Sequence, residues 1–133
     1  MMARKAAARR PTDSELEILS VLWQRGPSTV REVYEEINKA RPTGYTTVLK
    51  LMQIMTEKGL VQRDEGQRAH VYEARLAQGE TQKQLVGHLL NRAFDGSAAK
   101  LLMHVLSDQK ASAEDISEIR ELLDKFERKE KRK

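Results

Sequence analysis

The 133-residue chain has no cysteine, 3 prolines, 7 glycines and one tryptophan, and aromatic residues make up only 5% of it. The lack of thiols excludes disulfides, cysteine-ligated zinc and thiol catalysis, and it suits a reducing cytoplasm, which is the expected location. No apolar run approaches the roughly 18–20 residues of a membrane-spanning helix. The charged N-terminus is not followed by the apolar stretch of a secretory signal. His70, His88 and His104 lie 18 and 16 residues apart, so no pair has helical metal-ligand spacing and no metal is expected. There is also no histidine–carboxylate cluster and no glycine-rich phosphate loop. The chain therefore reads as a non-enzyme without a cofactor.

Charge is distributed unevenly. The formal net charge is +4. Residues 1–10 carry Arg4, Lys5, Arg9 and Arg10 with no acid. Residues 128–133 carry five bases against Glu130. Each end is thus +4, which leaves the body, residues 11–127, at −4. The ends read as disordered basic tails, and two roles fit them: solubilising ends, or arms that reach a polyanion.

Periodicity divides the body. Thr12 with Glu15 has capping-box spacing and starts a helix whose apolar face is Leu16, Leu19, Leu22 and Trp23, ending at Gly26-Pro27. Thr29 with Glu32 repeats that spacing, and Val30, Val33, Tyr34 and Ile37 give the next helix one apolar face. A third helix is predicted over Tyr45–Lys58, stopped by Gly59. Its apolar positions are Val48, Leu51, Met52 and Met55, and its other face carries Thr46, Thr47, Lys50, Gln53 and Glu57. Leu60–Arg63 and Ala69–Glu73 read as strands of a hairpin turning at Asp64–Gln67. Helices then follow over Glu80–Phe94 and Ser97–Leu106, and a last one opens at Ser112. Along it Ile116, Ile119, Leu123 and Phe126 follow the spacing of a coiled-coil seam.

Three helices and a hairpin make a winged helix-turn-helix. The third helix buries one face on its neighbours and presents the other to a major groove. Threonine, lysine and glutamine are suited to base edges and phosphates. The expected DNA-binding residues are Tyr45, Thr46, Thr47, Lys50 and Gln53, with Arg63, Gln67 and Arg68 on the wing. Each also fits a plainer role as a helix start, a solvated face or a packed ring. The predicted fold is mainly α with a small β-hairpin: a basic tail over 1–11, a winged-helix domain over 12–76, a helical region over 77–127 and a second tail over 128–133.

Tyr45-Thr46-Thr47-Val48-Leu49, Glu57-Lys58-Gly59-Leu60-Val61 and His70-Val71-Tyr72 resemble the penicillinase-repressor (BlaI/MecI-like) family, which includes copper-responsive repressors. So do Leu16-Glu17-Ile18-Leu19 with Leu22-Trp23, and Phe94-Asp95-Gly96. The resemblance spans about residues 11–127. It implies a homodimeric transcriptional repressor on a palindromic operator, dimerised through the C-terminal helices. Leu101, Leu102, Val105, Ile116, Ile119, Leu123 and Phe126 are the expected dimerisation residues. It further implies relief by cleavage in that region through a membrane sensor protease. The matching bond is His104–Val105, where members cut in this way typically carry Asn-Phe. The cysteines of copper-responsive members are absent here, and Ile54 stands where relatives often carry a base.

Two other readings fit the residues. The acidic body suits a winged helix that binds a protein and not DNA. A ligand-sensing regulator is the other, although Phe94 and Phe126 are the only aromatics after Tyr72 to line a pocket.

Overall fold

The computed structural model describes residues 10–66, 68–108 and 111–131. Along these residues run α1 (Asp13–Arg25), α2 (Val30–Ala40), α3 (Tyr45–Lys58), β1 (Val61–Asp64), β2 (Val71–Ala74), α4 (Gln78–Ala93), α5 (Ala98–Ser107) and α6 (Ala113–Lys131). The fold is mainly α with one antiparallel hairpin. The chain forms two compact units that divide between Val86 and Gly87.

Local chemistry sets the ends of the first helices. In α1 the Thr12 hydroxyl accepts the Glu15 N–H at 3.2 Å, and the Glu15 carboxylate accepts the Thr12 N–H at 2.9 Å. Thr29 and Glu32 make the same reciprocal pair at the start of α2. Each box satisfies two N–H groups that the helix itself leaves unpaired. Gly59, at φ +82°, closes α3 in the left-handed region, its N–H on the Met55 and Thr56 carbonyls.

Packing follows from these ends. Ile18, Leu19 and Leu22 of α1 meet Val33 and Ile37 of α2, Val48, Met52 and Met55 of α3, and Leu60, Val61 and Tyr72 of the hairpin in one buried cluster. The hairpin pairs Val61 with Ala74 and Asp64 with Val71. Ser28, in the turn between α1 and α2, adds a bridge to it. Its N–H donates to the Tyr72 carbonyl at 2.9 Å, and the Tyr72 N–H donates to the Ser28 carbonyl at 2.8 Å. The wing is thereby hydrogen-bonded to the helix-turn-helix.

Several expectations shift in detail. Ile18 is buried in α1, whereas Leu16 and Trp23 are half-buried. Trp23 sits at the rim because its indole N–H donates to the Leu76 carbonyl at 3.0 Å. Leu60 is not the first strand residue: its N–H goes back to the Met55 carbonyl as part of the α3 cap. β2 begins at Val71, so the turn is longer than Asp64–Gln67. Asp64 Oδ1 accepts the Gly66 N–H at 2.9 Å, which bends the chain before the strands can pair further. The C-terminal basic segment is not a loose tail as far as Lys131, because α6 runs through Arg128, Lys129, Glu130 and Lys131. Lysine, arginine and glutamate are good helix formers, and cations in a last turn complement the helix dipole. The N-terminal segment 1–9 lies outside the described residues.

In the second unit, Asp95 and Gly96 take positive φ, +52° and +77°, and separate α4 from α5. Ser97 caps α5 through the Lys100 N–H at 3.1 Å. Ser112 and Asp115 make a reciprocal pair at the start of α6, at 3.1 and 3.0 Å. Neither α5 nor α6 has a buried residue. Among the described residues no helix is long and apolar enough to cross a membrane.

Candidate nucleic-acid interface

α3 is held at both ends. Before it, the Asn38 side-chain carbonyl accepts the Thr43 N–H at 3.0 Å, and the Arg41 guanidinium donates to Glu17 of α1, with its Nε 3.3 Å from the carboxylate. Behind it, Lys58 in the last turn places Nζ 2.9 and 2.8 Å from the two oxygens of Glu15. Glu15 is buried. Burial raises its pKa, but the Lys58 ammonium together with hydrogen bonds from Thr12 outweighs this and leaves the carboxyl below its ordinary value. Val48, Met52 and Met55 point into the core. The opposite positions, Thr46, Thr47, Lys50, Gln53 and Glu57, are exposed. The helix starts at Gly44 without a side-chain cap, so its first N–H groups are left to solvent or a ligand.

Tyr45 stands at the N-terminal end of this face. Its ring meets Tyr34 edge-on, with centroids 5.6 Å apart and planes at 74°. The Arg31 guanidinium lies over it, 5.2 Å from the ring centroid. The ring is thus oriented from two sides while remaining partly exposed.

The expected wing residues separate. Arg68 opens onto a depression shared with Tyr45 of α3 and Arg31 of α2. Arg63 opens onto a different one, beside Asp64 and Glu73. Its Nε donates to Glu65 at 2.8 Å, and Tyr72 and Glu65 push its pKa further up. The structure therefore brings Tyr45 and Arg68 together and sets Arg63 apart, already paired. Gln67 lies outside the described residues. Sequence periodicity missed Arg31 and His70, which share the depression with Arg68. Neither lies on the α3 face, and only the folded hairpin brings them near it.

Some acids beside this face are paired, whereas Glu57 on the face itself has no ion pair among the described residues. Glu32 and Glu36 of α2 pair with Arg25 at 3.3 and 3.7 Å, and Glu36 also takes Lys39 at 3.1 Å. Among the described residues no group of histidine and carboxylate side chains could hold a metal ion.

The expected dimerisation residues also find little cover. Val105, Ile116, Leu123 and Phe126 are exposed, and Leu101, Leu102 and Ile119 are half-buried. His104, at the expected cleavage position, is exposed in α5, its ring 5.8 Å from that of Phe94.

The chain is similar to several known proteins along most of its length. The penicillinase repressor family profile matches residues 11–125. The penicillinase repressor of Bacillus licheniformis is 22% identical over 120 residues, covering 90% of this chain and 94% of its own. The transcriptional regulator BlaI of Mycobacterium tuberculosis is 32% identical over 117 residues, covering 86% of this chain and 83% of its own. The solution structure of the DNA binding domain of the repressor BlaI aligns at a TM-score of 0.48 and 23% identity, over 53% of this chain and 85% of that one.

Proposed function

The chain belongs to the penicillinase repressor family, and on that premise we propose that it is a cytoplasmic, homodimeric repressor that binds a palindromic operator and blocks transcription. α3 enters the major groove. Thr46, Thr47, Lys50 and Gln53 meet base edges and phosphates, while Tyr45, Gln67 and Arg68 hold the backbone, and Arg63 reaches it only by leaving Glu65. The observation that carries the reading is a division of labour within one chain. The first unit buries a complete core and exposes a polar recognition face. In the second unit α5 and α6 have no fully buried residue, and they display Val105, Leu106, Ile116, Leu122, Leu123 and Phe126. Apolar side chains repeated along helices with no partner in the same chain are accounted for by a second copy. A two-fold dimer then carries two recognition helices, which is what a dyad operator requires.

Release by proteolysis completes the proposal. Cleavage at His104–Val105, by a sensor protease or an enzyme it activates, would cut α5 within the dimerising region. α5 has no buried residue in the single chain, so opening it for a protease costs little once the dimer loosens. The cut lowers the dimer population, and a monomer holds only half of a dyad.

The test is to select genomic fragments with the purified full-length chain and determine its mass by sedimentation at the same concentration. A palindromic motif bound by two copies is expected. A folded sample that enriches no DNA would overturn the reading and favour a protein partner for α3.

A further inference from the structure

The depression at the junction of α2, α3 and the hairpin has a volume of about 540 Å3. Thr29 and Arg31 line it from the start of α2, Tyr45 and Leu49 from α3, and Arg68 and His70 from the hairpin. Among the described residues no carboxylate lines it. The two neighbouring depressions that involve the hairpin each include an acid: Asp64 and Glu73 in one, Glu73 in the other. In a body, residues 11–127, of net charge −4, a hollow that holds two arginines and no described acid stands out from its surroundings.

The cations in it are available. Arg31 is spread over the Tyr45 ring, which fixes its direction without neutralising it. Its ion pair, to Glu35 at 4.0 Å, joins two side chains that are each more than half exposed, so it is weak. Arg68 forms no ion pair among the described residues. Glu32, the acid closest in sequence, is turned to the Thr29 N–H at 2.9 Å and to Arg25 at 3.3 Å. A guanidinium with free N–H groups, a second guanidinium, an imidazole and a phenol around one hollow match a tetrahedral anion of single charge.

We propose that this depression seats one backbone phosphate of the bound DNA, held by Arg31 and His70 together with Arg68. The proposal rests on the DNA-binding reading above and adds to it a grip in which Arg31 of α2 and His70 are gathered with Arg68 on a single phosphate. It joins α2 and the wing to the same strand of backbone that α3 approaches, and so fixes how deep α3 sits without reading a base. Free phosphate or a phosphorylated effector has the same chemistry, and the test separates the two sources.

Operator affinity is measured against salt for the full-length protein and for Arg31→Ala, Arg68→Ala and His70→Ala. Each phosphate contact contributes about 0.9 to the log–log slope, so Arg31→Ala, which removes one contact from each copy of the dimer, should flatten it by about 1.8. Between 50 and 200 mM salt the variant then loses about 12-fold less affinity than the wild type. At low salt the weakening should be equal on the operator and on base-substituted operators, because no base is read. Arg31→Lys should restore the slope. A neutral methylphosphonate walked along the operator should locate one position in each half-site that weakens the wild type more than Arg31→Ala. Unchanged slopes in all three variants, with wild-type binding intact, would refute the grip and leave the repressor reading standing. Wild-type protein that binds no DNA would remove both. Inorganic phosphate that displaces DNA beyond the effect of chloride at equal ionic strength would assign the hollow to a free anion instead.

Discussion

Replacing Glu15 by glutamine removes one charge from the most enclosed ion pair of the first unit while keeping the shape of the side chain. The Glu15 carboxylate receives Lys58 Nζ at 2.8 and 2.9 Å and the Thr12 N–H at 2.9 Å. Glutamine retains an oxygen for the Thr12 N–H but loses the charge that draws Lys58 across from α3. Charge-assisted hydrogen bonds contribute about 1.5–3 kcal/mol, so Glu15→Gln should cost roughly 2 kcal/mol. For a unit of this size that lowers Tm by about 8–16 °C. Lys58→Met should cost more, about 3–5 kcal/mol, because it strands the buried carboxylate without its cation. The double variant should be less destabilised than the sum of the two, since each change removes the same contact. Trp23 is the sole tryptophan and packs against the same core, so its fluorescence in urea follows this unit alone. Acid supplies a second check. The folded state holds the Glu15 carboxyl below its ordinary value of about 4.3. Its stabilising contribution is therefore complete above that pH and is lost as pH falls through the folded value. Glu15→Gln has no such group, so the gap between variant and wild type should close on acidification. A Glu15→Gln protein within 0.5 kcal/mol of wild type at pH 7, or a gap that widens in acid, would refute the assigned pairing.

The other predictions concern the interface and the backbone. Gln53→Ala should relax base preference and weaken operator binding by about 1–3 kcal/mol, read from competition among operator variants; an unchanged preference removes Gln53 from readout. Leu123→Asp should sediment as a monomer at micromolar concentration and bind a dyad at least 100-fold more weakly, whereas a surviving dimer places the seam elsewhere. Gly59→Ala should lower the urea midpoint by the equivalent of roughly 1 kcal/mol, because φ at this position is +82°; an unaltered midpoint would mean the cap relaxes.

Legibility in the sequence tracked the range of the interaction. Thr12 with Glu15 and Thr29 with Glu32 act over three residues, and both helix starts fell where that spacing put them. Gly59 likewise ended α3 where a left-handed residue was expected. Helical period also separated the buried Val48, Met52 and Met55 from the exposed Thr46, Lys50 and Gln53. Longer-range partners were not legible. Glu15 was read only as a cap, because Lys58 reaches it from 43 residues away. Leu60 looked like a strand residue, since its apolar character is the same in a helix cap as in a ladder. The helical course of α6 through its basic end was hidden by composition, which describes charge but not the backbone beneath it. The hollow around Arg31, Arg68 and His70 has no sequence signature, because three separate elements build it.

The pair of hydrogen bonds between Ser28 and Tyr72 has a kinetic corollary. Tyr72 is buried, and its N–H is committed to a residue that lies before α2, not to the neighbouring strand of its own hairpin. The wing therefore has no independent opening motion at its base. To expose that amide, the turn between α1 and α2 must also come apart. Amide exchange at Tyr72 should match the slowest in the first unit. A segment of this kind meets another molecule with its root already fixed.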